Sequence, residues 1–204
     1  MDAEKFDPFI AEWISFSKNP NYNLIEKCLK MAQILEYPEL NISKYIEKIN
    51  EMGNSLKIKI GEIKNSTYLI SMLNEYFFDE LGFHGAEEDY YDPGNSFLNI
   101  VLDKKTGIPI TLSIIYSEVA KSIGLDLQIV GFPGHVIVKY KEEVNLDPFY
   151  RGKLLTIEDL EEILDRNFGE GVEFVPEYLN EATTEQLLTR LLRNLKLNIS
   201  YIHA

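Results

Sequence analysis

The stretch TGIPITLSIIYSEVAKSIGLDLQIVGF, residues 106–132, constrains the fold more than any other part of the chain. Pro109 suits a first helical position, where a missing N–H costs nothing, and Gly124 supplies an end, so the spacing predicts one helix between them. Ile110, Leu112, Ile114, Ile115, Val119 and Ile123 make that helix apolar on most of its sides. Such a helix has to be central, with other elements packed around it. Its N-terminus points unsatisfied amides and a partial positive charge at whatever faces it. A strand, Leu127 to Val130, follows.

The next segment, GFPGHVIVKYKEEVNLD from Gly131 to Asp147, reads as a β-hairpin. Val136 and Val138 can pair with Leu146 and Val144 across a five-residue loop, Lys139 to Glu143. That register sets His135 directly opposite Asp147, with Cβ atoms about 5 Å apart. An imidazole held by a carboxylate is the orienting part of a nucleophile, base and orienter arrangement. The same contact has a structural reading: a histidine after Pro-Gly can hydrogen-bond Asp147 and simply pin the hairpin, as buried polar groups require. The turn after it, with Pro148 ending the strand and Phe149 apolar, supports the structural role, which is the reading favoured here.

A chain of 204 residues with 45% apolar content can bury a sizeable core. The organisation expected is an N-terminal helical region over 1–81, a core over 82–165, and a C-terminal irregular segment and helix over 166–204, all in one compact unit. Three apolar stripes at helical spacing carry the first region. They are Leu24, Ile25, Cys28, Leu29, Ala32 and Leu35, then Ile42, Tyr45, Ile46, Ile49 and Met52, then Tyr68, Leu69, Met72, Leu73, Tyr76 and Phe77. Pro38 separates the first two helices, Gly53 is expected to close the second, and Asn65 with Ser66 caps the third.

Several function classes are disfavoured. The net charge of −13 argues against nucleic-acid binding, which needs a basic face. No apolar run approaches a membrane span, and the start MDAEKFDPF does not resemble a signal sequence, so a cytoplasmic location is expected. One cysteine excludes an internal disulfide. Nothing asks for a cofactor. His84, three and four residues before Glu87 and Glu88, hints at a metal, but Gly85 and the hydrated acidic run favour a solvated loop, and no metal site is expected.

Toward the C-terminus, Thr156 with Asp159 reads as a capping box, and Thr183 with Gln186 repeats it. Phe168 to Tyr178 is irregular. The last helix puts Leu187, Leu188, Leu191, Leu192, Leu195 and Ile199 on one side and Arg190, Arg193 and Lys196 opposite. The leucine face is either packing or a partner site.

Taken in order, YYDPGNSFLNIVL, TGIPITLSIIYSEVA, GFPGHVIVKY and NLDPFYRGKLLT resemble the SirB-type branch of the transglutaminase-like superfamily. The resemblance covers roughly residues 20 to 165 and implies an α+β, papain-like core: a central helix against a small antiparallel sheet that bears the histidine and aspartate. Longer members are expected to continue into helical repeats of the tetratricopeptide kind. His135 and Asp147 match the superfamily's second and third catalytic positions. Its cysteine should fall near Pro109, where this chain has Ile108, Pro109 and Ile110. Cys28 lies on an early apolar stripe, where burial suppresses the thiolate. Thr111 and Ser113 are the hydroxyls within reach of the helix start, with Asn95 or Asn99 as candidate oxyanion donors.

Two functions follow. One is a non-catalytic domain that binds a protein or peptide through the old active-site groove or the Leu187 to Ile199 face. The other is an amide or ester hydrolase or acyltransferase with His135 as base, Asp147 as orienter and Ser113 or Thr111 as nucleophile. The sequence fixes neither oligomeric state nor substrate.

Overall fold

The computed structural model describes residues 8–141 and 144–202, with side chains over 11–141 and 144–196. Four helices come first: α1 (Pro8–Ser17), α2 (Leu24–Leu35), α3 (Ile42–Ile60) and α4 (Ser66–Asn74). The helix α4 widens into a π-turn over Glu75–Glu80. Asn23 caps α2 and Asn65 caps α4, the latter by accepting the Tyr68 N–H at 3.0 Å.

The second helix is longer than expected, because Gly53 lies inside α3 instead of closing it; the end comes at Gly61. What Gly53 provides is closeness. A Cβ there would stand 2.8 Å from Ser122, whose hydroxyl donates to the Gly53 carbonyl at 3.0 Å. The glycine is a docking notch for the end of the central helix, which sequence periodicity alone does not separate from a helix stop.

The segment 82–107 carries β1 (His84–Gly85), a 3-10 turn at Pro93–Ser96, α5 (Leu98–Lys104) and β2 (Thr106–Gly107), with β1 and β2 paired in parallel. The central helix α6 (Pro109–Lys121) follows with Pro109 at its first position. Every residue from Pro109 to Tyr116 is buried. A four-stranded antiparallel sheet, β3 (Gln128–Val130), β4 (Ile137–Tyr140), β5 (Val144–Asp147) and β6 (Lys153–Leu155), runs in chain order. Then come α7 (Ile157–Phe168), a 3-10 turn at Pro176–Leu179 and α8 (Thr184–Ile202).

The hairpin register differs from the one expected. Val138 pairs with Leu146 and Tyr140 with Val144, so the loop is three residues and starts at Lys141 in the left-handed region (φ 53°). Residues 142 and 143 lie outside the described residues. The shift is by two, so every side chain keeps its face.

One continuous core runs from Ile25 in α2 to Leu195 in α8, with Val136, Val138 and Leu146 turned toward α6. On the other side of the sheet, Val130 and Ile137 pack with Leu160, Ile163 and Leu164 of α7. Leu187, Leu188, Leu191 and Leu195 of α8 are buried, so this part of the leucine face is packing; the Ile199 side chain lies outside the described residues. Both expected capping boxes form, Thr156 with Asp159 and Thr183 with Gln186. Among the described residues no helix is long and apolar enough to cross a membrane.

A polar strut ties the helices to the sheet. The buried Tyr116 hydroxyl donates to Asn74 Oδ1 at 2.6 Å, and Asn74 Nδ2 donates to the Gly152 carbonyl at 3.3 Å. Gly152 has a φ of +69°, and a Cβ there would lie 2.1 Å from Asn74. Gly152→Ala is therefore expected to cost about 2–4 kcal/mol in urea unfolding, the backbone and steric terms together. Gly124→Ala, at φ +79° with nothing within 4 Å, isolates the backbone term and should cost only about 1–2 kcal/mol.

Candidate functional site

Asp147 ends β5 with no exposed surface. Its Oδ1 accepts the backbone N–H of Phe149 at 2.9 Å and of Tyr150 at 3.4 Å, so the side chain folds back over its own turn. Its Oδ2 meets His135 Nε2 at 2.7 Å. With Asp147 as the acceptor, Nε2 carries the proton. In the observed register Asp147 lies across from Ile137, so His135 reaches it diagonally from the bend before β4. Gly134 makes that bend: its φ is +74°, and a Cβ would lie 2.4 Å from Asn167 of α7. The His135 N–H donates to the Phe132 carbonyl at 3.0 Å, fixing the turn from inside.

Among the described residues, no side chain at the start of α6 is hydrogen-bonded to His135. Ile108, Pro109 and Ile110 are all buried. The Thr111 hydroxyl is engaged locally: it accepts the Ile108 N–H at 3.1 Å and lies 2.9 Å from the Asn95 carbonyl and 3.1 Å from that of Ile108. Ser113 is fully buried, and its Oγ makes no hydrogen bond among the described residues. Among the described residues the only side-chain hydrogen bond of His135 is to Asp147. Asn95 uses its Nδ2 to hold the Asp89 carbonyl at 2.7 Å, which ties down the acidic loop. Asn99 is buried with an unpartnered Oδ1. Cys28 is fully buried in α2, and burial pushes its thiol up to about 12.

What surrounds His135 is aromatic. Tyr150 lies nearly parallel to the imidazole at 6.3 Å and Phe149 edge-on at 6.2 Å. Phe149 also packs against Gly85 of β1 so closely that a Cβ there would come within 2.8 Å of its ring. An apolar ring thus touches both the histidine and the strand pair that leads into α6. Tyr90 stands 6.0 Å from Phe149; burial pushes its phenol up, and nearby Arg190 opposes that rise. The π-turn supports the same place, since Asp79 pairs with Arg151, whose guanidinium lies 5.8 Å from the Phe78 ring. A cleft of about 660 Å³ opens here, lined by His84, Glu87, Glu88, Phe149, Tyr150 and Arg151.

His84 is not a free ligand, because Nδ1 lies 3.0 Å from the Gly82 carbonyl and Nε2 3.0 Å from the Thr106 hydroxyl. Among the described residues no group of three or more His, Cys, Asp or Glu is placed to hold a metal. Sequence reasoning reached the histidine and aspartate, did not single out Tyr90 or Tyr150, and placed Arg190 on the basic face of the last helix without linking it to the Phe132 turn. The available signal was the aromatic dipeptides Tyr90-Tyr91 and Phe149-Tyr150, which flank turns instead of filling an apolar stripe.

A central helix against an antiparallel sheet that presents a paired histidine and aspartate defines a papain-like, transglutaminase-type core. The chain belongs to the transglutaminase-like superfamily, whose sequence profile matches residues 43–193. A UPF0162 protein of Xylella fastidiosa (strain 9a5c) is 35% identical over 166 residues, covering 78% of this chain and 59% of that protein. The UPF0162 protein PA3419 of Pseudomonas aeruginosa is 27% identical over 74% of this chain and 54% of its own. F-box only protein 21 of Homo sapiens is 30% identical over 67% of this chain but only 24% of its own length. The UPF0162 likeness supports the SirB-type branch. The chain spans under two thirds of these relatives. No solved structure matches the chain.

A thiol with a pKa of about 12 and no exposed surface should not react in the folded state. Iodoacetamide is expected to alkylate Cys28 at pH 8 no faster than the chain opens, the rate rising with urea. Rapid alkylation of the folded protein contradicts this placement.

Proposed function

We propose that this chain is a non-catalytic member of its superfamily, acting in the cytoplasm, which binds a protein or peptide segment in the cleft lined by Tyr150, the ring that stacks on His135. The observation that carries the reading is the start of α6. Where the superfamily's cysteine is expected stand Ile108, Pro109 and Ile110, all buried and none able to attack a carbonyl. The two nearby hydroxyls give the reading further support. Thr111 is bound to backbone groups, and Ser113 is buried without a hydrogen bond to the histidine, whereas a serine or threonine nucleophile needs its base within about 3 Å. Tyr150, 44% exposed on that cleft, suits binding, since a rigid aromatic ring buries area with little loss of rotamer freedom.

The short contact of His135 with Asp147 favours a second reading, an amide or ester hydrolase or acyltransferase with Ser113 or Thr111 as nucleophile. That chemistry requires the start of α6 to rearrange so that a hydroxyl meets the imidazole. In the apo state catalytic hydrogen bonds are often long, which is why turnover is the test.

Hydrolysis of p-nitrophenyl acetate and of a glutaminyl peptide, followed for the wild type and for His135→Ala, Ser113→Ala and Thr111→Val, separates the two. The expected result is four proteins at the buffer background. A wild-type rate well above background that falls at least about 100-fold on removal of His135 or one hydroxyl overturns the non-catalytic reading.

A further inference from the structure

A second cleft, of about 780 Å³, lies between the Gly131–Gly134 turn, the 3-10 turn at Pro176–Leu179 and the first half of α8. Arg190 and Arg193, one turn apart on α8, both line it, with Tyr178, Gln186 and Asn194. Arg190 reaches the turn that carries His135: its Nη1 donates to the Phe132 carbonyl at 3.0 Å and lies 3.9 Å from where a Cβ on Gly131 would be. A guanidinium has five N–H donors, and this bond uses one.

Neither arginine is in an ion pair with a described carboxylate, although the chain has 33 Asp and Glu against 20 Lys and Arg. The contrast with Arg151, which pairs with Asp79, is direct. Taking a cation out of water is unfavourable unless an anion meets it, and burial already weakens Arg190's hold on its proton. Glu177, Glu181 and Glu185 share the wall of the cleft without pairing to either arginine, and Glu181 instead accepts from the Gln128 amide at 3.3 Å.

We infer that Arg190 and Arg193 hold a carboxylate group of the bound peptide. The planar fork of a guanidinium matches a carboxylate through two parallel hydrogen bonds. Three glutamates on the same wall repel a dianionic phosphate more strongly than a single negative charge, so the cleft favours the monoanion. Pro133 and Gly134 of the turn that carries His135 line this cleft, and Arg190 bonds the Phe132 carbonyl of the same turn. A peptide anchored at Arg190 therefore lies along the turn that leads to His135. The inference rests on the reading of this domain as a peptide-binding module and names what it recognises.

The test uses the full chain, labelled with ¹⁵N, and four probes followed by NMR to their solubility limits. These are acetyl-Ala-Tyr-Ala as the free acid, the same peptide as its amide, acetyl-Ala-Tyr-Glu amide, and inorganic phosphate. Saturable shifts at the Gly131 amide and the Arg190 side chain are expected with a carboxylate peptide, at least about tenfold weaker with the neutral amide. The free acid and the glutamate peptide tell a terminal carboxylate from a side-chain one. Arg193→Gln, at an exposed position, should weaken binding about tenfold with an otherwise unchanged spectrum, and Arg190→Lys, which keeps the charge but loses the fork, should weaken it too. Acid and amide binding alike, no shifts around Arg190 with any peptide, tighter binding of phosphate, or variants that bind as the wild type each overturn the inference. If it falls while wild type and His135→Ala stay at background turnover, the carboxylate assignment is lost and the non-catalytic reading stands.

Discussion

A buried carboxylate organises this molecule. Asp147 is wholly removed from water, and a charge in that position is tolerated only when its oxygens are met by donors. Two backbone N–H groups of its own turn satisfy Oδ1, and His135 satisfies Oδ2. Those bonds fix the turn that presents Phe149 and Tyr150, and they hold the bend before β4 against the end of β5. The strut from Tyr116 through Asn74 to Gly152 then joins that turn to the central helix. The turn that Asp147 shapes is therefore tied to the central helix through Asn74 and to the π-turn through the Arg151–Asp79 pair.

On the non-catalytic reading proposed above, the same contact accounts for a histidine and an aspartate standing here without a cysteine at the start of α6. In a catalytic member the carboxylate orients the imidazole for proton transfer. Here the pairing also satisfies buried groups whose loss would expose a charge to an apolar interior, so it has a reason to persist that owes nothing to chemistry. The start of α6 has no such second role for a cysteine, and Pro109 meets the helix's own needs at that place.

Much of the fold was legible because it rests on local patterns. The central helix, the strand after it, the two threonine caps and the leucine face of α8 all follow from periodicity and capping chemistry. Two features were not legible. Gly53 read as a helix stop because its role, a notch for Ser122, depends on a residue 69 positions away. The hairpin register was displaced by two because alternation fixes which face a residue takes, not which partner, and the left-handed turn residue Lys141 is not the glycine or asparagine that marks such positions in a sequence. At the site, the hairpin pattern brought His135 and Asp147 to the same end of the sheet, though they meet diagonally and not in the expected direct pairing, whereas Arg190 required the tertiary path of α8 across the Phe132 turn.

The central claim is that His135 and Asp147 act on one another as a structural pair, and a double-mutant cycle measures that most directly. Urea unfolding of the wild type, His135→Ala, Asp147→Ala and the double variant gives the coupling free energy. The account predicts a coupling of about 1–3 kcal/mol, with the double variant costing less than the two single changes added together. Additivity within about 0.3 kcal/mol would contradict it, since two residues in a shared buried hydrogen bond cannot be independent.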